Sequence, residues 1–536
     1  MSIINEIQNG RTALGIELGS SRIKAVLIDF DGQILAQGNH SWENQLVDGI
    51  WTYALPDVWA GIRNSYQDLA KDVETKYGIE LTTFGSIGIS AMMHGYLPFD
   101  KNNELLTPFR TWRNTMTEDA TGILIKEFDF NIPQRWSIAH LYHAILNQES
   151  HVKEIDYFTT LSGYVHWQLT GEKVLGVGDA SGMFPISDLT NDYDQRMIEK
   201  FDALIAEQNF SWQLADILPK VLGAGETAGC LTEAGAKLLD PSGKLEAGIP
   251  MAPPEGDAGT GMVATNSVLK RTGNVSAGTS IFAMIVLEHS LAKVHEEIDM
   301  VTTPSGSPVA MVHCNNCTSD FDAWVRVFEQ LFVRLGLDVS TGTLYQELYL
   351  SALEGDKDCG GIITHNYVSG EHITKFEEGR PLVVRTPDAD FNLANFMRAM
   401  LNSTMATLRI GMDILTEEES VEIDKMLGHG GLFKTERVGQ TLMANALKTP
   451  ISVMESAGEG GAWGMALLAL FLLESQSPEK DNTDLTLEEF LEERVFSKQK
   501  SVTIEPNSED MQGFDQFLAK YKASLAIQRA AVDALK

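Results

Sequence analysis

A chain of 536 residues is too long for one ordinary core, so two domains of roughly 250 residues each are expected, and a hydrophobic share of 43% supplies apolar side chains for both. The 74 acidic residues outnumber the 41 basic ones, for a formal charge of -33. That field repels nucleic-acid backbones and anionic membranes, which removes both as partners. Nucleotides stay open, because a magnesium ion and a few oriented N–H groups act locally.

In chain order, ALGIEL (13 to 18) and IKAVLI (23 to 28) are short β-rich runs separated by Gly19, Ser20 and Ser21. Asp31 and Gly32 supply a second turn, which predicts a meander of three strands. Val58, Trp59, Ile62, Tyr66, Leu69 and Val73 follow at spacings of three and four, an amphipathic helix over 57–76 with Asp57 placed to cap it. GSIGISAMMHG (85 to 95) reads as a buried strand ending in a loop, and TWRNTMTED (111 to 119) as a loop entering a helix. Sites form at such strand ends. Residues 155–182 form another strand-to-helix unit, its helix ended by Gly171 and followed by a turn at GDASG (178 to 182).

Between about 220 and 250 the composition shifts to Gly, Ala and Pro, which places the domain junction between residues 1–250 and 251–536. PPEGDAGTG (253 to 261) sets Asp257 among small residues, a position suited to a base or a metal contact. TGNVSAGTS (272 to 280) leads into IFAMIVLE (281 to 288), two strands joined by a small polar turn, as at the start of the chain. That echo suggests an architectural duplication. Leu393, Phe396, Met400, Leu401, Leu408 and Leu415 outline a long buried helix, and residues 428–447 and 455–470 read as two glycine turns that each feed a helix. The apolar run AWGMALLALFLL (462 to 473) is shorter than the roughly 18 residues a membrane span needs, so a buried helix is expected. The acidic stretch 474–494 reads as a solvated loop and helix, and Phe514, Phe517, Tyr521 and Leu525 as a final docked helix.

Four cysteines in so long a chain fit a reducing cytosol, and the residues before Leu14 lack a signal pattern, so a cytoplasmic location is expected. Cys314 and Cys317 have C-x-x-C spacing but no second pair, which favours buried thiols over zinc or redox chemistry. His140 and His143 lack a third ligand and read as one helix face.

Phosphoryl transfer needs N–H groups and hydroxyls around phosphates, a carboxylate near magnesium and a base for the acceptor hydroxyl. Gly19, Ser20 and Ser21, and then Gly278, Thr279 and Ser280, are turns able to supply the first. Neither G-x-x-x-x-G-K-[ST] nor a strand-linked G-x-G-x-x-G is present, so a phosphate site here is of another kind.

The ordered series LGIELGSSRIKAVLIDFDG (14 to 32), AMMHG (91 to 95), GDASG, GETAG (225 to 229), PEGDAGTG (254 to 261), VSAGTS (275 to 280), YVSGEH (367 to 372) and GGLFKTERVGQ with ESAGEGGAWG resembles the FGGY carbohydrate kinases of the actin-like ATPase superfamily along nearly the whole chain. The resemblance implies an α/β fold of two actin-like (ribonuclease H-like) domains flanking a catalytic cleft, the first binding sugar and the second ATP. It implies that Asp257 is the catalytic base; that Met93, His94, Trp112, Asn114 and Asp257 meet the sugar; that Ser20, Ser21, Gly278, Thr279, Gly430, Gly431, Thr435 and Gln440 meet the nucleotide; and that Glu17 and Asp257 hold Mg2+. The implied substrate is a ketopentose such as xylulose, with ribulose, fuculose or erythritol, or a sugar-binding regulator without turnover, as alternatives. Dimers are common in folds of this family, so a homodimer is also implied. Several positions depart from the family pattern: Glu17 stands for the usual Asp, Met92 for Gln, Asn114 and Met116 for the Asp and Arg of Trp-x-Asp-x-Arg, and His372 for the Arg of Gly-Glu-Arg. Most of these changes fall at the sugar end.

Overall fold

The computed structural model describes residues 2–454, 460–476 and 485–536. In the first of two mixed sheets, Ala13–Leu18, Arg22–Ile28 and Ile34–Ser41 form the expected antiparallel meander, and Ser86–Ala91 returns parallel to the first strand. Glu255–Gly256 pairs in parallel with Ser90 and Ala91, so this sheet reaches a few residues past position 250. The second sheet repeats the plan. Thr272–Ala277, Ile281–Val286 and Pro308–Cys314 are antiparallel, and Lys425–His429 and Ile451–Met454 add in parallel on the other side. Asp299–Thr302 and Ser501–Ile504 extend the two edges. The duplication suggested by the two polar turns is therefore a shared strand order.

Helix Leu55–Tyr77 begins earlier than its apolar spacing suggests. Pro56 opens it, where a missing N–H costs nothing, and Asp57 lies in the first turn without capping an amide. It ends at Gly78, at φ 67°. Its face of Val58, Ile62, Tyr66, Leu69 and Val73 joins Leu14, Ile16 and Leu18 in one core. The neighbouring residue Ala13 faces the other way, into a second core shared with Ala462, Met465 and Ala466. That side is covered by helix Gly461–Ser475, the apolar run read from the sequence, which is hydrophobic all round and buried accordingly. Its approach is close: a Cβ on Gly15 would lie 2.1 Å from the Ala462 carbonyl oxygen.

The second sheet is divided in the same way. Met284, Val286 and Val309 face the middle core, while Ala283, Ile285 and Ala310 pack with helices Leu393–Asp413, Val438–Leu447 and Ser508–Ala534. At GDASG the expected turn is replaced by a short helix, Val177–Ala180. It touches the second sheet's edge, where Thr302 donates from its N–H to Ser181 Oγ at 3.0 Å and from its hydroxyl to the Val177 carbonyl at 3.0 Å. Residues 455–459 of ESAGEGGAWG and 477–484 of the acidic stretch lie outside the described residues; within the latter, Leu487–Phe490 is helical. Among the described residues, no helix is long and apolar enough to cross a membrane.

Candidate active site

Two loops are built alike. Between the first two strands, the carbonyl oxygens of Gly19, Ser20 and Ser21 accept hydrogen bonds from Trp42 Nε1 (2.7 Å), the Tyr53 hydroxyl (2.6 Å) and the Trp42 backbone N–H (3.2 Å). Trp42 and Tyr53 stack with centroids 4.1 Å apart, so the support is rigid. With the carbonyls drawn to that side, Ser20 and Ser21 remain exposed. In the second loop, the Gly278 carbonyl accepts from the Thr318 N–H (3.1 Å) and hydroxyl (3.0 Å), and the Thr279 carbonyl from the Cys317 N–H (3.0 Å). Thr279 is exposed. Each loop could offer hydroxyls and amides to an anion.

The C-x-x-C pair belongs to this support. Burial holds the Cys314 thiol well above its usual pKa and pushes Cys317 up to about 12, so both stay protonated. The preceding residues are anchored by the fully buried Glu371, which accepts from the Asn315 N–H (2.9 Å), the Asn316 N–H (3.3 Å) and Asn316 Nδ2 (3.1 Å).

Beside the second loop lies a cleft of about 640 Å³ whose lining includes Thr318, Asp322, Tyr345, Gln346, Gly431 and Thr435. Gly430, at φ +99°, brings this segment so close to the second loop that a Cβ would lie 2.4 Å from the Ala277 carbonyl oxygen. Gln440 is placed differently from the expectation. It is buried, and its Nε2 donates to the Ile451 carbonyl (2.7 Å) and the Val502 carbonyl (2.6 Å), which ties two strands together. Thr318, Tyr345 and Gln346 carry no sequence motif and were not anticipated.

Asp257 opens helix Asp257–Ala264, directly after the short strand Glu255–Gly256. Its Oδ1 accepts the Met93 N–H at 3.2 Å. Burial raises its pKa, and the amides of Met93 and Ala258 oppose that rise. Glu17, on the first strand, accepts at Oε2 from the Ala462 N–H at 3.2 Å. Burial, reinforced by the charge of Asp257, raises Glu17 to about 7 against the pull of Lys24. The methylene added by Glu17 finds its room at Gly461, where a Cβ would lie 2.4 Å from Glu17 Oε1.

Two carboxyls that repel one another in a partly buried site suit one divalent cation. Among the described residues no group of three or more His, Cys, Asp or Glu could hold a metal, but magnesium bound with a nucleotide needs only one or two protein carboxylates.

Behind Asp257 lie two further acids. Glu255 accepts from the Gly178 N–H (3.3 Å) and the Asp179 N–H (2.9 Å), and Asp179 accepts from the Thr160 hydroxyl (2.6 Å) and from Ser162. Burial raises them to about 8 and about 7. Both stand in quoted motifs, but nothing local distinguishes them from ordinary turn residues.

On the acceptor side, Met93 contributes its amide to Asp257. His94 sits in the left-handed region at φ 67°, its Nδ1 3.0 Å from the Gly182 carbonyl and its Nε2 accepting from Arg135 Nε at 3.2 Å. That assigns the proton to Nδ1. Burial, with Arg135 adding, lowers its pKa to about 3, so the ring is neutral. Both nitrogens are thus used within the chain, and His94 fixes the loop where a free sugar contact was expected. Asn114 differs likewise: Oδ1 accepts from the Trp51 N–H (2.9 Å), and Nδ2 donates to the carbonyls of Trp51 (2.8 Å) and Thr111 (2.9 Å). Trp112 is 38% exposed. Arg135, which was not anticipated, forms an ion pair with Asp299 on the edge of the second sheet.

Residues 12–263 match the N-terminal domain of the FGGY family of carbohydrate kinases, and residues 273–473 its C-terminal domain. The chain is similar to the xylulose kinase of Haemophilus influenzae, 21% identical over 480 residues that cover 85% of this chain and 90% of that one. Among solved structures it is similar to a ligand-bound xylulose kinase from Lactobacillus acidophilus (TM-score 0.78, 16% identity, 97% of this chain and 98% of that one). It is also similar to a gluconate kinase from the same organism (TM-score 0.77, 16% identity, 97% and 98%). At such identities the solved structures establish the fold; the two domain matches, which together span most of the sequence, establish that the chain belongs to the FGGY family of carbohydrate kinases, ATP-using enzymes that transfer phosphate to an alcohol group.

Proposed function

We propose that this FGGY kinase is magnesium-dependent and phosphorylates a terminal hydroxyl of a ketopentose such as xylulose. The observation that carries the reading is Asp257, a carboxyl at the start of a helix, oriented by the Met93 amide and facing Glu17. In this reading Ser20, Ser21, Gly278 and Thr279 hold phosphate oxygens, Gly430, Gly431 and Thr435 line the nucleotide, and Trp112 packs against the sugar. Asp257 takes the proton of the acceptor hydroxyl as that oxygen attacks the γ-phosphorus and the bond to the β-bridging oxygen breaks. Glu17 and Asp257 would hold the magnesium ion, which supplies charge neutralisation at the phosphates. Closing the two domains aligns acceptor and phosphate and expels competing water.

The raised pKa of Asp257 suits this role, since a base closer to neutrality accepts a proton more readily. The xylulose kinase names among the relatives support the ketopentose. The test is sugar-dependent ADP release across pentuloses, hexuloses, polyols and aldonates. Xylulose should give the highest kcat/KM. A tenfold better acceptor overturns the substrate, and ATP binding without turnover on any acceptor points to a regulator.

A further inference from the structure

The second sheet turns one face toward the first domain. On it, Phe282, two residues beyond Ser280 of the second loop, pairs across strands with His313. The two rings stack with centroids 6.4 Å apart, and His372 stacks on His313 in turn at 6.3 Å, its plane inclined by 17°. These three rings form a row leading sideways from the loop assigned to the phosphates. Cross-strand neighbours stand about 5 Å apart, so His313 lies roughly one strand's width from that loop's exit.

The same row borders the acceptor segment. Arg135, which donates to His94, lies close enough to both His313 and His372 to disfavour their protonation. His94 follows Met93, whose amide holds Asp257. His313 therefore pairs with the strand that leaves the phosphate loop and lies within electrostatic reach of Arg135, which donates to His94. It is partly buried, and among the described residues it makes ring contacts but no hydrogen bond. Burial, with Arg135 and His372 adding, lowers its pKa to about 3, so it stays neutral and offers one N–H donor and one lone pair. The stacking on both neighbours fixes the ring and leaves its nitrogens open to a ligand's hydroxyl.

We infer that His313 is a specificity-determining residue supplied by the second domain, one that hydrogen-bonds a hydroxyl of a polyhydroxylated acceptor on a carbon other than the one phosphorylated. The inference rests on the kinase reading above and extends it. Neutral imidazoles paired by stacking suit a sugar or polyol chain. The nearby Asp299 and Glu371 offset Arg135, so nothing in this row selects for an anionic acceptor.

The discriminating variant is His313→Phe, which keeps an aromatic ring between Phe282 and His372 and removes both ring nitrogens. A site built to hydrogen-bond a hydroxyl loses affinity when the pairing is lost, so acceptor KM should rise by about 10- to 100-fold while ATP KM and Tm change little. Wild type should discriminate against one deoxy analogue of its best acceptor, and His313→Phe should treat parent and analogue alike. His313→Gln, which restores a donor and an acceptor, should recover part of the affinity, and His313→Leu, which also lacks both nitrogens, stands in if the Phe variant fails to fold. Acceptor KM within twofold of wild type in folded His313→Phe or His313→Leu, or an equal rise in ATP KM, overturns the inference. If wild type shows no sugar-dependent ADP release, the kinase reading fails by itself, and calorimetric titration of the same sugars into wild type and variant still decides His313: equal binding, or binding by neither, refutes its role.

Discussion

Replacing Asp257 with Asn removes one charge and one proton acceptor while conserving size. The amide oxygen of Asn can still take the Met93 N–H, at 3.2 Å in the native site, so the start of the helix and the loop before His94 keep their positions. Only proton acceptance and charge are lost. A positioned base contributes about 10²–10⁴ in rate, equivalent to about 2.7–5.4 kcal/mol of barrier, so kcat should fall by that factor with acceptor KM changed by less than about threefold. The charge of Asp257 also helps to raise Glu17; without it, the Glu17 pKa should drop from about 7 and the folded state should lose a repulsion. Tm should therefore rise, as happens when a functional charge cluster is relaxed. Initial rates of ADP release at saturating sugar and ATP, with thermal denaturation of the same samples, check both halves. A variant that keeps half of its turnover refutes the base assignment, and one that loses turnover together with Tm shows that the substitution disturbed the fold.

Gly461→Ala places a methyl 2.4 Å from Glu17 Oε1 and 2.9 Å from Thr260 Oγ1, so Glu17 must move; kcat should fall at least tenfold, and the dependence of rate on magnesium concentration should shift to higher values, which a metal titration reads. Gln440→Ala strips hydrogen bonds from two carbonyls and should cost about 1–3 kcal/mol in urea unfolding while leaving ATP KM unchanged; a large rise in ATP KM would return Gln440 to the nucleotide. Glu371 has a native pKa of about 7 against an ordinary value of 4.5, raised by burial despite three donors. The native state therefore holds this proton more tightly, so its stabilising contribution is fully present below pH 4.5 and declines as pH rises toward 7. Glu371→Gln should flatten that decline, as read from urea midpoints at pH 5 and pH 8, and an unchanged slope would show that another group sets it.

The strands, the paired polar turns and the buried late helix were legible because each is written in local periodicity, and Asp257 stood out as a candidate because it is set among small residues in PPEGDAGTG. His94, Asn114 and Gln440, expected to meet ligands, are hydrogen-bonded within the chain for a common reason. Their partners, Arg135 and Gly182, Trp51, and Ile451 with Val502, lie in other segments, and no spacing rule indicates whether a polar side chain is spent inside the fold or free for a ligand. Arg135 and His313 escaped notice because they carry no motif and gain meaning only where the two sheets meet. Glu17 shows the opposite case. The sequence exposed an unusual carboxylate at once, but the accommodation for its extra methylene, at Gly461, is far away along the chain.

The helix at Gly461–Ser475 shields a sheet whose last strand ends at Gly256. On a ribosome, about 200 further residues must be made before that cover emerges, a wait on the order of 10–40 s at ordinary elongation rates. Until then Ala13, Val26 and Ile28 lack that cover, so a gene fragment stopped before Gly461 should yield aggregates that a separately supplied carboxy-terminal fragment can rescue.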